Sequence, residues 1–201
     1  MASVPLSVHG FETSNNMKVR VALGYKAISY TFREIDPGDR TEVIRLSGQH
    51  LTPVLLHGET VLFDSGAILR YLDANFPDSP KLFGASRDEQ WEIEDWEFFA
   101  RTRLSGPMLD VVHTTISTGS VDEATLTRCT KAFSGAVEAL ADRLRGREWI
   151  SGDQMTAADV TAAPVLLRVE RAEIFEMPSA ARDLKAWRDR VMQYDGPHRL
   201  E

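Results

Sequence analysis

The chain is short of the residues that would cross-link it, anchor it in a membrane or draw it to a polyanion. Cys129 is its only cysteine, which excludes an intrachain disulfide and fits a reducing compartment, so a cytoplasmic location is expected. The setting of that cysteine, TLTRCTKAF, reads as helical and apolar, so the thiol is expected to be buried and passive. No run of about 18 apolar residues occurs, which excludes a membrane-spanning helix. The opening MASVPLSVHG lacks a basic segment followed by a long apolar stretch, so no secretory signal is expected. Basic residues are outnumbered, 23 Lys and Arg against 30 Asp and Glu, for a formal net charge of −7. That balance argues against broad nucleic-acid or anionic-membrane binding, which needs a basic face. The histidines, His9, His50, His57, His113 and His198, are scattered without paired ligand spacing, and no metal site is expected.

What is present is ordinary for a soluble globular protein: 43% hydrophobic and 26% charged residues over 201 positions. That length suits one large domain or two small ones. The first part alternates in period. PLSVHGF (5–11) and YTFREID (30–36) read as strands around the helical MKVRVALGYK, a βαβ unit whose strands should be parallel. RTEVIRL (40–46) reads as a short helix, PVLLH and VLFD as a hairpin around GET, and SGAILRYLDANF as a helix with Ile68, Tyr71, Leu72 and Phe76 on one face. The order is β-α-β-α-β-β-α. PDSPKLFGAS (77–86) is rich in turn residues and proline and marks a boundary. We therefore expect an α/β domain over 1–78, a linker over 79–87 and an all-helical domain over 88–201, its helices starting in RDEQWEIEDWEFFARTRLSGPMLDVV, DEATLTRCTKAFSGAVEALADRLRG, TAADVTAAPVLLRVERAEIF and SAARDLKAWRDRVMQ. Trp91, Trp96, Phe98 and Phe99 share the first of these helices and are expected to be mostly core. Pro164 falls inside the third and should cost it one hydrogen bond.

Four short motifs carry chemistry. In GFETSNNMKVRVAL, Thr13, Ser14, Asn15 and Asn16 precede an apolar helix, and any of them could cap it. In TPVL, Pro53 cannot donate to a ladder, so the site should be a strand beginning, an edge or a special turn. In FDSGAI, Asp64 and Ser65 open a helix whose first N–H groups can hold a carboxylate as well as a cap. In GDQMTAADV, Thr156 and Asp159 have capping-box spacing with Met155 and Val160 at the staple positions, so Asp159 reads as a structural residue.

With these motifs in this order, the chain resembles the soluble glutathione transferase superfamily over nearly its whole length. TSNNMKVRVAL is similar to the family's first loop and helix, TPVL to its cis-proline strand, FDSGAILRYL to its glutamyl-binding helix start and GDQMTAADV to its capping box. RLSGPML (103–109) is similar to a segment of bacterial relatives of the nu class. The resemblance implies a thioredoxin-like domain followed by a helical bundle, and glutathione as co-substrate without a metal. It implies that Asp64 and Ser65 hold the γ-glutamyl end and that Thr52, ahead of Pro53, pairs with the cysteinyl backbone. The sulfur would lie near Thr13, six positions before Val19, with Ser14 or Asn15 assisting. The glycyl carboxylate meets a departure: Leu51 stands where many relatives carry glutamine or lysine, leaving His50 or Gln49 as substitutes. No tyrosine or cysteine stands at the sulfur-activating place, which argues against mixed-disulfide chemistry. A pocket for small apolar electrophiles is expected from Phe11, Trp96, Phe99, Arg103, Met108 and Val112. The implied protein is a dimeric detoxifying transferase. Its rivals are a glutathione-dependent peroxidase or disulfide reductase, and a non-catalytic ligand-binding or interaction module.

Overall fold

The computed structural model describes residues 4–196 of the chain. It divides into two units: one is the chain up to Leu82 together with the segment from Gln193, the other Phe83–Met192. In the first unit the order is β1 (Leu6–Gly10), α1 (Ser14–Tyr25), β2 (Thr31–Glu34), α2 (Thr41–Ser47), β3 (Val54–His57), β4 (Thr60–Leu62) and α3 (Ser65–Asn75). The sheet runs β2-β1-β3-β4. β1 pairs parallel with β2, placing Val8 beside Phe32, and antiparallel with β3, placing Val8 beside Leu55. This is the expected thioredoxin-like βαβαββα arrangement. The β3–β4 turn closes in two residues because Gly58 takes a φ of +61°, a value open to glycine at little steric cost.

Val8, Leu55, Ile68 and Leu72 are fully buried, and a second cluster of Ile35, Val43 and Val54 seats α2. Helix α1 departs from simple amphipathicity. Besides Met17, Val19, Val21 and Leu23 it buries Ser14, Asn16 and Lys18. Gly24 gives a reason for its enclosure, since a Cβ there would stand 2.2 Å from the Tyr194 carbonyl oxygen. The C-terminal segment thus crosses α1. Arg20 grips Asp195 with two bonds of 2.7 and 2.9 Å, and Tyr30 donates to the Gly196 carbonyl at 2.9 Å. These contacts put residues 193–196 with the first unit, whereas the sequence assigns those residues to the helical domain.

The second unit contains α4 (Arg87–Phe99), a π-helical segment (Ala100–Leu104), α5 (Ser105–Thr118), α6 (Glu123–Leu144), α7 (Ala157–Arg171) and α8 (Ala181–Met192). No strand occurs in it among the described residues. The π turn interrupts what the sequence reads as one helix, which then runs on to a stop at Gly119, φ +82°. The aromatic expectation fails on α4. Ile93, Glu97 and Ala100 form the buried face, and that register leaves Trp91 and Phe98 each 59% exposed. Cys129 is buried, and Pro164 lies within α7. His198 lies outside the described residues.

Candidate functional site

The first unit brings three separate loops together at the ends of α1 and α3. Thr13 caps α1: its hydroxyl accepts from the Asn16 N–H at 3.2 Å, while Ser14 is the first helical residue and is buried. One hydroxyl therefore suffices for capping, and Ser14, Asn15 and Asn16 remain for other work. The same Thr13 Oγ1 also accepts from Asn16 Nδ2 at 2.7 Å. With two donors on its lone pairs, the hydroxyl has its own proton left to give.

Asn16 Nδ2 reaches onward to Thr52 Oγ1 at 2.9 Å, tying the opening loop to the residue before Pro53. The Thr52–Pro53 peptide is cis, and β3 begins at Val54 immediately after it. That geometry is the special turn that proline required here, and it leaves Thr52 half-buried at the strand's mouth. The sequence alone offers Asn16 only as a possible cap. The available signal was an amide three residues behind a hydroxyl, with Gly10 upstream to make room.

The third loop enters through α3. Asp64 caps it by accepting from the Ala67 N–H at 2.7 Å, which leaves the N–H groups of Ser65 and Gly66 outside the helix's own ladder. Ser65 is buried; its Oγ accepts from Lys18 Nζ at 3.4 Å and donates to Asn15 Oδ1 at 3.3 Å. A fully buried ammonium thus stands behind the α3 terminus, and Asn15 links it back to the opening loop. The site has two helix N-termini, a hydroxyl donor and a cation, with no general base of ordinary type. It can hold anions and steady a developing negative charge.

The rim is less provided. Gln49 spends its amide locally, on Ser47 Oγ, the Leu51 carbonyl and the Leu51 N–H. His50 is exposed, and Leu51 is 59% exposed. Arg40, just ahead of α2, lies over the Phe11 ring at 4.3 Å, and its Nη1 is buried with no hydrogen-bond partner. His9, at the end of β1, sits 3.3 Å from Glu42. Burial holds its pKa below the ordinary imidazole value, with Glu42 pulling the other way.

In the second unit Trp96 and Phe99 meet edge to face at 5.0 Å, Arg103 is exposed on the π turn, and Val112 is half-buried. Met108 is 2% exposed and packs with the buried face of Leu104 and Val111, so it belongs to the core. Thr156 and Asp159 cap one another. Asp159 also accepts from the Ile150 N–H at 2.9 Å and the Trp187 indole at 2.8 Å. Burial lifts its pKa above the ordinary carboxylate range, against these donors, which favour the anion. Among the described residues no group of three or more His, Cys, Asp or Glu could hold a metal ion, and no helix is long and apolar enough to cross a membrane.

Comparison with known proteins gives two family models, the glutathione S-transferase N-terminal domain over residues 8–80 and the C-terminal domain over 104–195. The glutathione S-transferase-like protein LUC7 of a Fusarium species is 33% identical over 107 residues, 53% of this chain and 49% of that protein. This chain thus spans about half the length of that relative. A stringent starvation protein A homologue of Haemophilus ducreyi is 25% identical over 186 residues, 89% of this chain and 80% of that one. Among solved structures, a glutathione S-transferase of Methylobacterium radiotolerans in complex with glutathione sulfonate superposes with a TM-score of 0.81 at 21% identity, covering 98% of this chain and 97% of that one.

Proposed function

Because the chain belongs to the soluble glutathione transferase superfamily, we propose that it binds glutathione in the first unit and adds the thiolate to small apolar electrophiles. The observation that carries this reading is the Thr13 hydroxyl, which accepts from the backbone N–H and from the side-chain Nδ2 of Asn16 and keeps its proton for the sulfur. The γ-glutamyl carboxylate would take the free N–H groups at the α3 terminus and the Ser65 proton, displacing its bond to Asn15, with Lys18 behind. Thr52 would pair with the cysteinyl backbone. Arg40, with its buried and unpartnered Nη1, would take the glycyl carboxylate that Leu51 cannot.

The energetics are within reach of these groups. A free thiol of pKa about 8.5 is only about 3% ionised at pH 7. Lowering its pKa to about 6.5 raises that share to roughly three quarters and needs about 2.7 kcal/mol. A hydroxyl bond to the anion gives ~1.5–3 kcal/mol and the α1 terminus ~0.3–1. The thiol proton goes to solvent; attack then forms a carbon–sulfur bond, and either the substrate's leaving group departs to solvent with its bonding pair or, in an addition, the resulting carbanion takes a proton from water.

Trp91 and Phe98 on α4 are exposed in one unit and Phe63 in the other, which supports a homodimer as the working state. The single buried cysteine supports a cytoplasmic protein. A second reading, a glutathione-family module that binds without turnover, is favoured by exposed Leu51 and by the local engagement of Gln49. Retention on immobilised glutathione followed by conjugation of chlorodinitrobenzene separates the two. Retention with turnover supports the transferase, and retention without it supports the module.

A further inference from the structure

Asn16 is more than a cap needs. Thr13 already caps α1, so an apolar side chain at position 16 would leave the helix start intact. The amide is instead fully buried, 0% exposed. Gly10 makes the room, since a Cβ there would stand 1.7 Å from Asn16 Oδ1. That oxygen has no hydrogen-bond partner. The fold therefore carries an unsatisfied buried acceptor in exchange for what Nδ2 does on the other side. The opposite amide orientation would bury two unpartnered N–H groups, which folded proteins tolerate less well than an unpartnered carbonyl.

We propose that Asn16 is a positioning residue that sets the direction of proton donation in the site: its N–H groups occupy the acceptor side of Thr13, so that the Thr13 proton points to the ligand's sulfur. This rests on the glutathione reading above. The same amide also holds Thr52, so the sulfur donor and the backbone that would bind the cysteinyl residue move as one piece. Asn16 touches neither sulfur nor electrophile. It acts through Thr13.

The test reverses the polarity of position 16 with little change of shape. Asn16→Asp removes both side-chain donors and offers an acceptor, which would turn the Thr13 proton inward. The readouts are the pKa of enzyme-bound glutathione, from ultraviolet thiolate absorbance against pH, and the affinity for S-methylglutathione, which has no thiol to ionise. The expected bound-thiol pKa rises from parent to Asn16→Ala to Thr13→Val, with Asn16→Asp at or above Thr13→Val because its carboxylate also repels the thiolate. Asn16→Ala in the Thr13→Val background should add little, because the two act through one hydroxyl. Affinity for S-methylglutathione should fall modestly in the position-16 variants, because the tie to Thr52 is lost, and that fall is separate from the shift in thiol pKa. Should Asn16→Asp fail to fold, Asn16→Ala carries the same comparison. A parent that binds glutathione while its pKa is unmoved in every folded position-16 variant overturns this inference alone. A parent that binds neither glutathione nor S-methylglutathione overturns the glutathione reading and this inference with it.

Discussion

Replacing Asp159 with alanine tests whether a buried carboxylate in this fold serves structure or chemistry. Its two oxygens receive the Ile150 N–H at 2.9 Å, the Thr156 N–H at 2.9 Å, the Thr156 hydroxyl at 3.1 Å and the Trp187 indole at 2.8 Å. An ordinary cap is worth ~0.5–2 kcal/mol. This one also satisfies an indole on α8 and a backbone amide ahead of α7, both of which alanine would orphan. At ~1–3 kcal/mol for each buried donor left unsatisfied, with some relaxation, the loss is about 3–5 kcal/mol. For a chain of this size ~1 kcal/mol moves the melting point by about 2–4 °C, so the fall should be on the order of 10 °C. The assay is thermal unfolding followed by circular dichroism, paired with turnover measured well below the variant's midpoint. A large fall in Tm with unchanged turnover per folded molecule is expected. A variant that melts with the parent yet loses turnover would refute the structural assignment.

Three further outcomes follow from the same contacts. Ser65→Ala should weaken glutathione binding about tenfold by calorimetry, for a lost bond of ~1.5 kcal/mol to a charged group; equal affinities would remove Ser65 from the site. Arg40→Met should weaken glutathione by a similar factor, about tenfold, yet leave γ-glutamylcysteine unaffected; equal losses for both ligands would show that Arg40 does not meet the glycyl end. His9 has a folded pKa held below its ordinary value, mainly by burial. Its contribution to stability is therefore complete above about pH 6.5 and is lost as pH falls through that value toward the folded one. Denaturant midpoints should drop on acidification in the parent and drop less in His9→Gln; parallel curves would assign the acid sensitivity elsewhere.

The order of elements was legible because the alternation of periods in the first 76 residues is strong and each turn carries its own signal, such as Gly58 in the hairpin. The capping box of Thr156 and Asp159 was legible for the same local reason. What stayed hidden depended on tertiary contact. Trp91 and Phe98 look like core by composition, but the register set by Ile93 and Glu97 turns them outward. The π turn at Ala100–Leu104 lies just ahead of Gly106 and Pro107, a pair that signals an irregular helix but not which kind. Asn16 and Lys18 look like solvated helix residues until Gly10, Thr52 and Ser65 arrive beside them. Asp195 gives no hint that Arg20 is 175 positions away in sequence and one bidentate ion pair away in space.

The central claim is that this chain ionises glutathione with the Thr13 hydroxyl at the α1 terminus. A spectrophotometric pH titration of bound glutathione, on the parent and on Thr13→Val, tests it most directly. A bound-thiol pKa of about 6.5 is expected in the parent, returning toward about 8.5 in the variant. A thiol that titrates on the parent near its free value, or a depressed pKa that survives the loss of the Thr13 hydroxyl, would contradict it.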